Sequence, residues 1–187
     1  MMDALDLMLT RESALQLQSP GPTAGDLERI FATAVRAPDH GRLRPWHFVV
    51  INETQRAAFG TLLADSLRRR DPTASDPELQ RERDKAFRAP VIVAVAAKLR
   101  KGHKIPEIEQ IASAAAAAQT IMLAAPALGY GAVWKTGAPA YDPTVKAALG
   151  LAGDDEIIGF LYLGTRAGGS SPLPRPEARD FVTNWAG

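Results

Sequence analysis

Residues 89–97 read A-P-V-I-V-A-V-A-A, and this stretch most constrains the fold. It has no polar position in either register. A strand of that kind cannot turn one face to water, so it belongs inside a sheet covered on both sides. The cover is also visible. Residues 107–128 form the longest helical pattern, E-I-E-Q-I-A-S-A-A-A-A-A-Q-T-I-M-L-A-A-P-A-L. The run Ala114 to Ala118 favours helix and carries almost no bulk. Such a helix can lie close to a sheet and to a second helix. Pro126 predicts a kink or an early end.

The other elements fit around this pair. Met2 to Thr10 spaces Leu5, Met8 and Leu9 as a short helix, and Leu15 to Pro22 reads as an extended segment and a turn. A helix starting at Thr23 to Asp26 and ended by Pro38 carries Leu27, Ile30, Phe31, Ala34 and Val35 on one face. His47 to Ile51 is a strand. Thr54 to Arg70 is a helix whose closing arginines suit its C-terminal dipole. Ser75 or Asp76 caps a helix entered at Pro77. Lys98 to Pro106 reads as a charged, mobile connection containing His103. Ala132 to Gly137 and Glu156 to Leu163 are further strands, with a short helix from Asp142 to Leu149 between them. Four strands and about six helices predict an α+β or α/β three-layer sandwich in one domain, 1–187.

Composition excludes several chemistries. There is no cysteine, so thiol nucleophiles, disulfides and cysteine-ligated metals are ruled out. Three histidines, His40, His47 and His103, show no metal-ligand spacing. A formal net charge of +1 argues against a nucleic-acid partner. No window approaches the ~18 uninterrupted apolar residues of a membrane span, and the acidic start does not suit a signal peptide. A cytoplasmic protein is expected. No G-x-G-x-x-G, P-loop or G-x-S-x-G motif is present.

What remains is a scattered set of cations, hydroxyls and small residues. Arg11 and Ser13 close the first helix. Arg36, His40, Arg42 and Arg44 crowd the connection R-A-P-D-H-G-R-L-R-P-W-H-F-V-V-I between helix and strand. Trp134-Lys135-Thr136-Gly137 leaves a strand. Singly, these are surface cations, a cap and a core aromatic. Together they suit a phosphorylated aromatic cofactor with no single catalytic side chain.

These blocks, with D-A-L-D-L-M-L-T-R-E-S-A, F-R-A-P-V-I-V-A-V, L-G-Y-G-A-V-W-K-T-G and I-I-G-F-L-Y-L-G-T in order, cover nearly the whole chain. In them the sequence resembles the nitroreductase family of FMN-dependent NAD(P)H oxidoreductases. The resemblance implies a three-layer α/β/α sandwich in an intertwined homodimer, with two FMN sites at the interface. It implies that Arg11, Glu12 and Ser13 meet the flavin from one subunit, and Arg36 and His40 from the other. It assigns NAD(P)H contact to Ala124, Ala125, Pro126, Ala127, Leu128 and Gly129, and flavin contact to Trp134, Lys135 and Thr136. Flavin N5 would pass hydride from NAD(P)H to an electron-poor acceptor such as a nitroaromatic or a quinone. A dehydrogenase or oxidase of one metabolite, and a non-enzymatic flavin-binding dimer, are the alternatives. The apolar tail 166–187, with Phe181, Val182 and Trp185, would pack on the partner. The chain departs from the family in reading R-E-S where relatives carry a further Arg. Arg42 or Arg166 is expected to replace that cation.

Overall fold

The computed structural model describes residues 3–169 and 174–187. The helices are α1 (Ala4–Thr10), α2 (Ala24–Ala34), α3 (Arg56–Arg70), α4 (Asp76–Asp84), α5 (Glu107–Ala127) and α6 (Pro143–Ala148). The strands are β1 (Leu17–Gln18), β2 (Trp46–Ile51), β3 (Val91–Ala97), β4 (Gly131–Lys135) and β5 (Glu156–Arg166). Strand β3 pairs antiparallel with β2, from Trp46↔Ala97 to Ile51↔Ile92, and with β5, from Val91↔Leu163 onward. Strand β4 takes the other edge of β5, again antiparallel. The ladder is therefore β2-β3-β5-β4, which makes the fold α+β.

Alternation along β3 divides its side chains between two cores. Val91, Val93 and Val95 join Leu161 and Leu163 under α2 and α5, against Ile30, Ala34, Ala117, Ala118, Ile121 and Met122. Ile92, Ala94 and Ala96 join Phe160 and Tyr162 on the opposite face, against Phe59, Leu63, Ala86, Val145 and Leu151. Every residue of β3 is buried, as its composition requires. Each fully buried Val, Ile or Leu removes enough apolar area to contribute about 1.5–3 kcal/mol. Ala114, Ala117, Ala118 and Ala125 of α5 are wholly enclosed, so their lack of bulk sets the approach of this helix to the sheet. By length and composition α5 could cross a membrane, but its apolar side packs on α2 and the sheet.

Several boundaries differ from expectation. A fifth strand, β1, forms because the extended segment after α1 pairs with the end of β5, Leu17↔Arg166 and Gln18↔Thr165. That pairing carries β5 three residues beyond Leu163, through Gly164, where a Cβ would press on Pro90. Helix α2 stops at Ala34, ahead of Pro38. Pro126 lies in the last turn of α5, where the helix ends anyway at Ala127. Ser75 is the cap of α4, in a reciprocal capping box with Glu78.

The connection 98–106 is not loose. Gln110, buried in the first turns of α5, donates to Arg100 O and Ile105 O at 3.2 Å and accepts from Arg100 N at 2.8 Å. Asp155 accepts from Leu99 N at 3.0 Å, and Ile105 is buried. A polar sequence predicts mobility only while its backbone groups lack protein partners, and here they have them.

Candidate functional site

Helix α1 ends at Thr10 with Arg11 as its C-cap, and the chain then runs extended along the start of β4 and the end of β5. Ala14 N donates to Ala132 O at 2.9 Å, and Ala167 N donates to Gln16 O at 3.0 Å. Gly131 permits this approach, because a Cβ there would collide with Leu17 and Ala14. The two strands of backbone enclose a cleft of about 440 Å³ lined by residues 11–16, Arg166 to Gly169, and Arg175. Among the described residues that line it are three arginines, Arg11, Arg166 and Arg175, and one acidic residue, Glu12.

Glu12 is not idle in this arrangement. Its Oε1 accepts from Arg166 Nη1, and both side chains are partly buried. Arg175 Nη2 donates to the carbonyl of Arg11, so the C-terminal tail folds back over the end of α1. The structure thus brings Arg166 beside Arg11, Glu12 and Ser13, whereas Arg42 lies in the loop after α2. Arg175 was not singled out from the sequence, because the tail shows no periodic face. Its one signal is the P-R-P run at 174–176, which holds an arginine on extended backbone.

Trp134 lies near the end of β4, half-buried on the α2/α5 face. It crosses Gly159 of β5, where a Cβ would meet the indole Nε1. Lys135 and Thr136 follow it, exposed, and Gly137 turns the chain with φ of 96°. Of the segment assigned to NAD(P)H, Ala125 is sealed in the core, while Ala127 and Gly129 are exposed. Ala124, Pro126 and Leu128 lie between these extremes. The segment is anchored just beyond by Tyr130, whose hydroxyl donates to Asp26 at 2.8 Å. Bonds from Thr23 and Tyr130 hold the Asp26 carboxyl below the usual range.

Arg36 and His40 stand apart from the cleft, in the connection between α2 and β2, and both are exposed. His40 Nδ1 contacts Glu109 Oε2 of α5 at 2.6 Å. Among the described residues, α1 and the tail each expose large apolar side chains. Helix α1 buries no residue, and its Leu9 is 76% exposed. In the tail Phe181 is 75% and Trp185 92% exposed. The tail expectation falls partly on residues 170–173, which lie outside the described residues.

A second cluster is structural. Asp142 caps α6, accepting from Thr144 N and Val145 N, and pairs with Arg69 at 3.0 Å. Burial works against its charge. The Ser66 hydroxyl beside it (short of full hydrogen-bond geometry), Arg69 and the two amides outweigh burial and hold the carboxyl at about 2.

A family model described as the Nitroreductase family matches residues 9–165. The chain is 39% identical over 183 residues to the Escherichia coli (strain K12) protein named "Putative NAD(P)H nitroreductase YdjA", spanning 97% of this chain and 99% of that one. Among solved structures, a nitroreductase-like family protein from Bacillus cereus superposes with a TM-score of 0.85 at 20% identity, covering 100% and 98% of the two chains. A nitroreductase with bound FMN from Bacteroides fragilis superposes with a TM-score of 0.73 at 20% identity, covering 98% and 99%. These likenesses carry the fold, and the family match with the close relative carries the kinship: the chain belongs to the nitroreductase family.

Proposed function

We propose that this chain is an FMN-dependent NAD(P)H oxidoreductase acting as a cytoplasmic homodimer, with the phosphate end of the flavin held in the Arg11–Arg166–Arg175 cleft. The observation that carries the reading is the charge of that cleft. Three guanidiniums against one carboxylate suit a phosphate monoester, which carries close to two negative charges at neutral pH.

The chain's own residues then divide the work. Arg11, Arg166 and Arg175 neutralise the phosphate, and the exposed Ser13 hydroxyl adds a donor. Trp134, packed across Gly159, sets the level of the strand end from which Lys135, Thr136 and the backbone at Gly137 meet the flavin. Arg36 and His40 act on the flavin of the partner subunit. The exposed positions Ala127 and Gly129 border the nicotinamide side. FMN held by these residues would supply hydride-transfer chemistry between NAD(P)H and an electron-poor acceptor such as a nitroaromatic or a quinone. Donors and cations around the ring favour the negative charge of the reduced form. No acid–base side chain is required for this exchange.

The dimer is supported by the apolar residues of α1 and of the tail, which the single chain leaves in water. The experiment is spectroscopic. Purified protein should gain flavin absorbance with added FMN, bleach with NADPH under anaerobic conditions, and turn over NADPH with menadione or a nitrofuran. Absence of FMN binding would refute the reading. Binding and bleaching without turnover would move the chain to a dehydrogenase of a specific metabolite.

A further inference from the structure

The loop carrying His40 holds a conformation its own sequence disfavours. Arg42 and Arg44 have φ of 56° and 51°, beside Gly41 at 72°. Left-handed backbone is unfavourable for residues with a Cβ, and it persists only where the surroundings impose it. Here the surroundings are Asp39 and the first turns of α5. The Asp39 carboxylate accepts from Leu43 N at 3.2 Å and Arg44 N at 2.8 Å. Ser113 Oγ donates to Pro38 O at 2.7 Å. Ile105 fills the space a Cβ on Gly41 would need. Glu109 completes the set at His40 Nδ1. Glu109 and Ser113 are four residues apart on one helix face, so α5 grips the loop from two successive turns.

The contact at His40 also decides the chemistry of the ring. An ionised carboxylate can only accept, so at 2.6 Å Nδ1 carries the hydrogen. Nε2 is then the atom turned away from Glu109, and the His40 side chain is 67% exposed. Among the described residues Nε2 has no hydrogen-bond partner. A solvated hydrogen bond alone does little. This one closes a strained loop that Asp39 braces from within and that Ser113 of the same helix already holds at Pro38.

We propose that Glu109 is the positioning residue of His40: it fixes the Nδ1–H tautomer and the ring plane, so that Nε2 is presented to the flavin. The inference rests on the reading of His40 as a flavin contact. It is tested by titrating apoprotein with FMN, following flavin fluorescence, for wild type, Glu109→Ala, Glu109→Gln, His40→Ala and the double alanine variant. Glu109→Ala should weaken FMN binding about threefold to fivefold. Glu109→Gln, whose amide oxygen still accepts from Nδ1–H, should recover most of that loss. In the His40→Ala background the Glu109→Ala change should have no further effect. Imidazole nitrogen NMR should show Nδ1–H for His40 in the wild type and a mixture of tautomers in Glu109→Ala. Equal losses in both backgrounds, an unchanged dissociation constant, or an Nε2–H tautomer in the wild type would each overturn the proposal. If His40→Ala alone binds FMN as tightly as wild type, the flavin contact itself is refuted and the proposal falls with it. Glu109 and His40 are both exposed, so loss of fold is not expected, and thermal melts of the apoproteins check this.

Discussion

Replacing Arg166 with alanine separates two roles that meet at one side chain. Arg166 lines the cleft as a cation and also neutralises Glu12. On the proposed function, its removal subtracts a phosphate partner and takes from Glu12 the guanidinium that now offsets its charge beside the cleft. Two unit charges about 4 Å apart interact by about 4 kcal/mol at the effective dielectric of a protein surface. Side chains 33% and 19% exposed are screened further, so a net loss of about 1.5–3 kcal/mol is the working figure. That is roughly 10- to 150-fold in the FMN dissociation constant. Glu12→Gln should act oppositely. It releases Arg166 to the phosphate and should tighten FMN about 3- to 10-fold, an effect of the size of one partly exposed ion pair. The double variant should fall between the single ones. Fluorescence titration of apoprotein reads all four, and repeating it at high salt should compress the differences. An Arg166→Ala variant with wild-type affinity, or a Glu12→Gln variant with weaker affinity, would refute the reasoning.

Three further outcomes follow from named contacts. Asp142 has its carboxyl at about 2 against an ordinary 3.8, so the stability it contributes is present above pH ~4 and is lost as pH falls towards 2. The contribution is about 2 kcal/mol, and Asp142→Asn should flatten acid unfolding in that window; an unchanged acid limb would show that the partners of Asp142, Ser66, Arg69 and the two amides, together contribute nothing. Gln110→Ala strips three backbone groups of their partner and should cost about 2–3 kcal/mol, seen as faster amide exchange across residues 99–105 but not in β3. Trp185→Glu should shift the protein towards monomer in sedimentation velocity and weaken FMN binding in parallel. A variant that is monomeric yet binds FMN fully would dissociate the site from the dimer.

The central strand and its helix were legible because their composition leaves one environment open to them. Seven consecutive buried positions in β3 and an alanine face on α5 require a covered sheet. Strand ends were less legible. Nothing in Leu17-Gln18 by itself calls for a strand, since that pairing depends on β5 extending to Arg166. The loop 98–106 looked mobile because Gln110, which holds it, is a single polar residue on a helix and acquires meaning only when the loop folds onto it.

The candidate site divides in the same way. Arg11, Ser13, Arg36, His40 and Trp134 stood out as a cationic, hydroxyl-bearing and aromatic set that suits a phosphorylated aromatic cofactor, and their flavin roles came only with the family resemblance. Sequence also placed a glutamate, Glu12, directly beside Arg11. It could not decide which residue would answer that glutamate. That depended on β5 returning beside the segment after α1, which sets Arg166 against Glu12, and on the tail bringing Arg175 to the carbonyl of Arg11. Glu109 reached His40 through the packing of α5 on the loop after α2. Local sequence thus set the periodicity and the chemistry of each segment. Long-range pairing decided which charges face one another, because a charge has no partner until tertiary structure brings one within a few ångströms.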